Sequence, residues 1–263
     1  MTLFWLSDIH LDRATPAGEA RLLKTIRENG PNTAILTGDT SHAKRLVSDL
    51  ERLAAELGGT LHFVLGNHDH YGSSVGEVRD AVIAASNGND SLAWLPPAGV
   101  VVLPDGRALV GVDGWADGRL GDPLTTPITL NDDRLIAELA AQHDRRAKVV
   151  VRRTLADADA TRLATLLRRA IDGGHRELVV ATHIPPFVEC LPPGSRIAHP
   201  DWYPLLVSAA TGRVLRSTAT RHPEVSLDVL AGHSHRASDV SILPNLRVRV
   251  APARYGTPEA IVP

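Results

Sequence analysis

Few features of this chain favour a secreted or membrane-spanning protein. Its 263 residues include one cysteine, Cys190, which excludes an internal disulfide and is unremarkable in a reducing compartment. No uninterrupted apolar stretch approaches the ~20 residues that are needed to cross a bilayer. The formal net charge of -2 gives no broad attraction to a polyanion. We therefore expect neither a membrane nor a long nucleic acid as a partner.

The composition is that of an ordinary globular protein. Hydrophobic residues make up 43% of the chain and charged residues 22%, and no segment has the composition of a disordered region. The N-terminal segment lacks the basic and apolar regions of a signal peptide. We expect a cytoplasmic protein in which residues 1–263 form a single domain.

Polar residues follow five short aliphatic runs that are typical of strands. The runs are residues 3–6, 34–36, 63–65, 178–181 and 229–231. The blocks after them are, in order, Asp8-Ile9-His10, Gly38-Asp39, Gly66-Asn67-His68-Asp69, Thr182-His183 and Gly232-His233-Ser234-His235. Strands that all end in Asp, Asn or His predict one rim of the fold at which metal ligands meet.

The rest of the chain alternates between helical and strand-like patterns, which favours an α/β architecture. Helices are predicted at residues 16–29, 41–57, 74–85, 131–142 and 154–171. A hairpin is predicted from strands at 100–103 and 108–112, and a last strand is predicted at 246–250. This periodicity does not establish how the sheets stack.

In this order, the five blocks resemble the calcineurin-like metallophosphoesterase superfamily. The pattern of that family is Asp-x-His, Gly-Asp, Gly-Asn-His-Asp or Glu, His, and Gly-His-x-His, and the match extends from residue 8 to residue 235. No block is rare alone, so the strength of the resemblance lies in their joint occurrence. It implies a four-layer α/β/β/α sandwich of two mixed sheets flanked by helices.

The resemblance also implies two divalent metal ions. The ligands of one ion would be Asp8, His10, Asp39 and His235, and those of the other would be Asp39, Asn67, His183 and His233. Carboxylate, amide oxygen and neutral imidazole together suit manganese, iron or zinc better than an all-oxygen set would. Because Asp39 belongs to both sets, the ions would lie roughly 3.5–4 Å apart.

A pair of ions at that separation favours phosphoryl chemistry. It acidifies a bridging water, towards a pKa of ~7 in zinc sites, and leaves a positive centre that attracts an anionic phosphoryl group. The resemblance implies that the bridging hydroxide attacks phosphorus. His68 would protonate the leaving alkoxide or steady the phosphoryl oxygens, and Asp69 would orient and charge-stabilise the His68 ring.

Each block taken alone has a simpler explanation. An aspartate after a strand can cap the following helix, a lone His183 can be a satisfied interior histidine, and residues 232–235 can form a turn. The basic groups at 145–148, 152–153 and 168–169 lie among acidic residues, which indicates a solvated face.

Two Gly- and Pro-rich loops, at about 113–131 and 184–204, are the predicted walls of a substrate pocket, because ligands bind beyond the carboxyl ends of strands. Aromatic residues there can stack on a base or only pin the loops to the core, and arginines nearby can pair with a phosphate that does not react. The candidates for substrate contact are His42, His70, Trp115, Arg119, Phe187 and Arg236.

We therefore expect a dinuclear metal-dependent phosphoesterase that acts on a small phosphate ester. A nucleotide phosphodiesterase and a phosphomonoesterase are both open alternatives, and a non-catalytic binding scaffold is the alternative from another class. The weak basic signal counts against a nuclease. The lack of an amphipathic membrane-binding helix counts against a lipid hydrolase.

Overall fold

The computed structural model describes residues 3–30 and 33–261. The elements of the first part of the chain are β1 (Leu3–Leu6), α1 (Pro16–Asn29), β2 (Thr33–Thr37), α2 (Ala43–Leu57), β3 (Thr60–Val64), α3 (Val75–Gly88), β4 (Leu92–Trp94), α4 (Leu95–Ala98), β5 (Val101–Val102) and β6 (Ala108–Gly111). Those of the second part are α5 (Asp132–Leu135), α6 (Ala137–Ala140), α7 (Arg145–Asp172), β7 (Glu177–Ala181), α8 (Tyr203–Leu206), α9 (Ala209–Arg221), β8 (Ser226–Ala231), β9 (Ser238–Leu243) and β10 (Leu246–Val250).

These strands form two sheets. The first has the order β1-β2-β3-β4, and its strand pairs are all parallel. An antiparallel bridge from Ile261 to Trp5 extends the β1 edge. The second sheet has the order β5-β6-β7-β8-β10-β9, in which both outermost pairs are antiparallel and the inner pairs are parallel.

Three hydrophobic clusters show that the two sheets and their helices form four layers. Phe4, Leu36 and Phe63 on one face of the first sheet pack against the buried faces of α1, α2 and α3. Side chains of both sheets, including Ile35 and Val179, meet in a second cluster between them. The far face of the second sheet packs against α7 and α9. The predicted α/β/β/α arrangement is therefore confirmed.

Individual elements agree with the predictions to different degrees. The first helix has the predicted bounds, because Thr15 caps it by accepting a hydrogen bond from the Gly18 amide and Gly30 ends it in a left-handed conformation. The helix predicted at 131–142 is two short helices, α5 and α6, separated by Ile136 in an extended conformation. Helix α7 begins at Arg145 rather than at residue 154, and β9 was not predicted.

The carboxyl ends of parallel strands from both sheets lie at one rim. Asp8, Asp39 and Asn67 follow β1, β2 and β3 of the first sheet, while His183 and His233 follow β7 and β8 of the second. The rim predicted from the five motifs is therefore formed by both sheets. No helix of the described part of the chain has the length and apolarity that a membrane span requires.

Candidate metal centre

The first predicted ligand set converges at this rim. Ligand atoms of Asp8, His10, Asp39 and His235 all lie within 4.8 Å of one another. The Nε2 atoms of His10 and His235 are 3.1 Å apart, and His235 Nε2 is 3.2 Å from Asp8 Oδ1. Two imidazoles on one tetrahedral zinc ion, with Zn–N bonds of about 2.0–2.1 Å, would place their nitrogens about 3.3 Å apart. The donor atoms therefore have the spacing that an ion requires.

The second set contains two acceptor atoms that face each other. The Nδ1 atom of His183 lies 2.8 Å from the Thr37 carbonyl oxygen, so Nδ1 carries the proton and Nε2 carries a lone pair. The Asn67 amide group donates its N–H to Asp132, which leaves its Oδ1 facing His183 Nε2 at 3.1 Å. Two acceptors that face each other in a buried site fit a shared metal ion.

Asp39 and His233, the remaining members of the second set, also place possible ligand atoms close to His183. His183 Nε2 is 3.4 Å from Asp39 Oδ1, and one ligand atom each of Asp39, His183 and His233 lies within 4.8 Å of the others. The Nε2 atom of His233 faces the Leu205 carbonyl oxygen at 3.0 Å, so Nε2 carries the proton and Nδ1 has the lone pair that can bind a metal ion. Asp39 thus contributes to both sets, as the family resemblance implies.

Backbone conformation also marks the centre. In the described residues, the non-glycine residues with positive φ are Asp8, His10, Asp39, His233 and His235, with φ between 39° and 67°. Each of them is a proposed ligand. A left-handed backbone is unfavourable for residues with a Cβ atom and tends to occur at functional sites, where the surrounding structure holds it in place.

Glycines in the motifs allow the ligand loops to approach closely. A Cβ atom on Gly66 would lie 2.2 Å from Asp39 Oδ1, and one on Gly232 would lie 2.2 Å from Asp8 Oδ2. Gly38 has a φ of +88°, and a Cβ atom there would lie 2.5 Å from the Gly66 amide nitrogen. The glycine that begins three of the motifs is therefore a steric requirement of the packed centre.

Burial keeps the imidazoles of His10 and His183 in the neutral form that binds metals. It lowers the pKa of His10 to about 2 and that of His183 to about 4. By contrast, burial and the nearby charges of Asp8 and Asp69 raise the pKa of Asp39. Neutral imidazoles beside crowded carboxylates form a site with excess negative charge, which divalent cations would neutralise.

His68 lies at the edge of the centre, and Asp69 does not serve it as predicted. The His68 ring stacks on Tyr71 with a centroid separation of 4.3 Å, and its Nε2 atom is 4.0 Å from Asp39 Oδ2. The Asp69 carboxylate instead accepts backbone N–H groups of Gly66, Asp39, Thr40 and Ser41. The prediction that Asp69 orients His68 is wrong, because the carboxylate oxygens of Asp69 accept hydrogen bonds from those four amides instead. Asp69 fixes the two ligand loops relative to each other.

A group behind Asn67 was missed in the sequence. The buried Asp132 carboxylate accepts hydrogen bonds from Asn67 Nδ2 at 2.8 Å and from the Tyr71 hydroxyl at 2.6 Å. Although burial opposes it, Arg152 and these hydrogen bonds hold the pKa of Asp132 below its ordinary value. Arg152 also lies 2.9 Å from Asp133 and is buried, so the prediction of a solvated basic face is wrong at this residue.

An open cleft of about 1390 Å³ lies over the centre. Its walls include Leu130 and Asn131 from the end of the first predicted loop, and Ile197 and Trp202 from the second. Arg236 is the one candidate for substrate contact that lines it. His42 is close by, with its ring 6.2 Å from that of His68, but its Nε2 atom faces Asp12 Oδ2 at 3.1 Å.

The structure places the other four candidates away from this cleft. His70 is fully buried, and its ring lies 5.4 Å from that of Trp115, which packs in a hydrophobic cluster. Phe187 belongs to the core beneath the second sheet, while Arg119 pairs with Asp117 and Asp157. For Trp115 and Phe187 the simpler alternative holds, because these rings anchor irregular loops to the core.

Tyr255 was not singled out in the sequence, yet it covers the centre. Its ring centroid is 4.6 Å from that of His10 and 5.1 Å from that of His235. The segment around it is attached to the start of α1, where Thr15 donates from its amide and its hydroxyl to the Gly256 carbonyl oxygen. Burial raises the pKa of Tyr255 to about 12.

Two groups of side chains that could hold metal ions lie below an open cleft, and comparisons with known proteins identify the class of the protein. The model of the calcineurin-like phosphoesterase family matches residues 1–237. The chain therefore belongs to that family, whose members hydrolyse phosphoric esters at a centre of two divalent metal ions. No curated protein sequence matches the chain significantly.

Two examples of solved structures with the same fold are given by the comparisons. Phosphopantetheinyl hydrolase from Mycobacterium tuberculosis superposes with a TM-score of 0.68 at 13% identity, covering 100% of this chain and 96% of its own. A dimetal phosphatase from Danio rerio superposes with a TM-score of 0.57 at 14% identity, covering 95% of this chain and 86% of its own. At such low identities the likeness concerns the fold.

Proposed function

We propose that this chain hydrolyses a small phosphodiester, with nucleotides as the first class of substrate to test. The observation that carries the proposal is that the cleft continues past both ligand sets. Tyr255 lines it beside His10 and His235, and Leu206 lines it next to Leu205, whose carbonyl oxygen faces His233. Trp202 also lines the cleft. A diester needs space on both sides of the reacting phosphorus, and aromatic walls suit a base or another ring.

In this proposal the two predicted ligand sets hold one divalent transition-metal ion each. When bound, manganese, iron or zinc supplies an acidified water and positive charge for the phosphoryl oxygens. Burial lowers the pKa of His68 to about 3, so its ring is neutral and retains one N–H. The neutral ring donates a hydrogen bond to a phosphoryl oxygen. An anionic substrate beside the ring raises the pKa of His68, so that the ring takes up a proton from solvent, transfers it to the leaving alkoxide and returns to the neutral form.

A phosphomonoesterase is the second candidate. It is favoured by Arg236, which follows the proposed ligand His235 and lines the cleft, because a guanidinium can bind the additional negative charge of a monoester.

We also propose a cytoplasmic location, supported by the single cysteine of the chain.

Initial rates on bis-p-nitrophenyl phosphate and p-nitrophenyl phosphate, with manganese, zinc or iron added, test the proposal. We expect metal-dependent turnover of both, with the diester preferred, followed by activity within a panel of cyclic and linear nucleotides. Asp39→Asn should abolish the activity, whereas Asp239→Asn, on an exposed ion pair of β9, should retain it. A preference for the monoester would favour the second candidate, and no hydrolysis of either ester would contradict both.

A further inference from the structure

Four arginines from separate segments line the cleft outside the ligand sets. Arg13 follows β1, Arg21 lies on α1, Arg236 follows β8 and Arg254 follows β10. The acidic residues of the same wall are Asp8 and Asp39, which belong to the ligand sets, and Glu259. Beyond the centre itself, the cleft therefore carries four guanidinium groups and one carboxylate.

Most of these arginines have no acidic partner. Within residues 3–30 and 33–261, no carboxylate oxygen lies within 4.0 Å of the guanidinium of Arg21, Arg236 or Arg254. By contrast, Arg152, which lies behind Asn67, is paired with Asp132 and Asp133. Positive groups that converge on an aqueous cleft without partners are typical of an anion-binding wall.

The wall is continuous with the metal centre. The Arg13 guanidinium carbon lies 4.9 Å from the centroid of the Tyr255 ring, and that ring lies 4.6 Å from the ring of His10. The Ala253 amide donates to the His235 carbonyl oxygen at 3.4 Å, which fixes the Arg254 segment beside a ligand. The Tyr255 ring therefore lies between Arg13, at the inner end of the wall, and the proposed ligand His10.

We propose that these arginines form a subsite for a second phosphate of the substrate, which is not hydrolysed. The inference rests on the proposed function and narrows its substrate class to phosphodiesters whose organic part carries another phosphate. Arg21, Arg236 and Arg254 bind that phosphate through charge-assisted hydrogen bonds, and Arg13 is held on the Tyr255 face at the inner end of the subsite.

Thymidine 5′-(p-nitrophenyl phosphate) and its 3′-phosphorylated form test this subsite, because they differ only in the second phosphate. Nitrophenolate release reports cleavage of the diester alone. We expect kcat/KM for the 3′-phosphorylated compound to exceed that for the other by at least about tenfold, through a lower KM. The double variant Arg236→Gln/Arg254→Gln should reduce this ratio to near one.

Arg168→Gln is the matched control, because Arg168 is exposed on α7 and does not line the cleft. It should retain the wild-type ratio. Equal kcat/KM values for the two compounds in the wild type, or a ratio unaffected by the double variant, would overturn the subsite. If neither compound is cleaved, the proposed phosphodiesterase function fails. Calorimetric titration of both onto metal-loaded protein then decides the subsite: tighter binding of the 3′-phosphorylated compound supports it, and equal binding refutes it.

Discussion

Five non-glycine residues with an unfavourable left-handed backbone conformation lie at the candidate metal centre. They are Asp8, His10, Asp39, His233 and His235. Each such conformation costs roughly 1–3 kcal/mol of folding free energy. In addition, Asn67 Oδ1 and His183 Nε2 face each other as two hydrogen-bond acceptors. Bound ions would offset these costs by bonding to the same atoms. At the scale of single residues, the arrangement of the centre is thus unfavourable without cations and is stabilised when they bind.

His68→Ala should separate turnover from metal binding. His68 belongs to neither ligand set, so we expect the variant to keep the wild-type metal content. Loss of its N–H should lower kcat by about 10²–10⁴-fold on esters with poor leaving groups, and by less on p-nitrophenyl esters. Metal analysis and rates on both ester types check this, with the exposed His143→Ala as control. Equal losses on both ester types would argue against a role at the leaving group.

His62 provides a pH dependence that is independent of the metal ligands. This residue of β3 is buried, and burial lowers its pKa from 6.5 to about 4. Between those pH values the unfolded chain binds a proton that the folded chain does not, so stability is lost as pH falls from 6.5 towards 4. The difference is about 3 kcal/mol when fully developed.

Replacement of His62 by Gln should therefore flatten the pH dependence of the free energy of unfolding across that window. Denaturant unfolding between pH 4 and 7 in the presence of a chelator measures it. His143→Gln, at an exposed position, should leave the slope as in the wild type. The account of His62 is wrong if its variant and the control behave alike.

At the scale of elements, short helix α5 supports a ligand that belongs to a distant loop. Its first residue, Asp132, holds the Asn67 amide and the Tyr71 hydroxyl, and Arg152 of α7 lies behind it. Other basic residues of the first turns of α7 bind the preceding loop, as Arg153 does through the Asp117 and Gly118 carbonyl oxygens. Helix α7 thus positions both the loop and the support of Asn67.

Asp132→Ala should weaken the ion held by Asn67, His183 and His233 more than the other ion. Loss of a residue that orients a ligand typically lowers metal affinity 10–100-fold. Asp133→Ala is the matched control, since Asp133 also binds Arg152 but does not contact Asn67. Metal titration monitored by calorimetry should show one weakened site in the first variant and two unchanged sites in the second. A uniform loss at both sites would contradict this role.

The elements also show which parts of the site can be predicted from sequence. The proximity of the proposed ligands was predictable because each lies within a few residues of a strand end, and parallel strands bring those ends together. Asp132 and Tyr255 were not, because they reach Asn67 and His10 from segments 65 and 245 positions away. Trp115 and Phe187 were assigned to the pocket by residue type, but packing turns both rings into the core.

At the scale of the whole molecule, the proposed ligands come from both sheets. Asp8, Asp39 and Asn67 belong to loops of the first sheet, and His183, His233 and His235 to loops of the second. The four-layer order was predicted from the family resemblance, since the alternation of strands and helices alone does not establish how the sheets stack. Strand β9 was missed because its side chains are mostly exposed or half-buried. Metal binding should therefore stabilise the contact between the sheets as well as the loops.

Excess manganese or zinc should raise the thermal midpoint of the chelator-treated protein. Binding to the folded state alone adds about 2.7 kcal/mol when the free ion is at 100 times its Kd. Thermal unfolding with and without metal measures the shift. In Asp39→Asn the shift should be much smaller, since Asp39 serves both ligand sets. An equal shift in wild type and variant would place the ions elsewhere.

The central claim is that the rim holds two ions that share Asp39. Its most direct measurement is the metal content of the protein by mass spectrometry, after removal of metal, reloading with manganese and dialysis. We predict two ions per chain in the wild type and fewer than one in Asp39→Asn. A wild-type chain that retains no ion, or an Asp39→Asn chain that still retains two, would contradict the account.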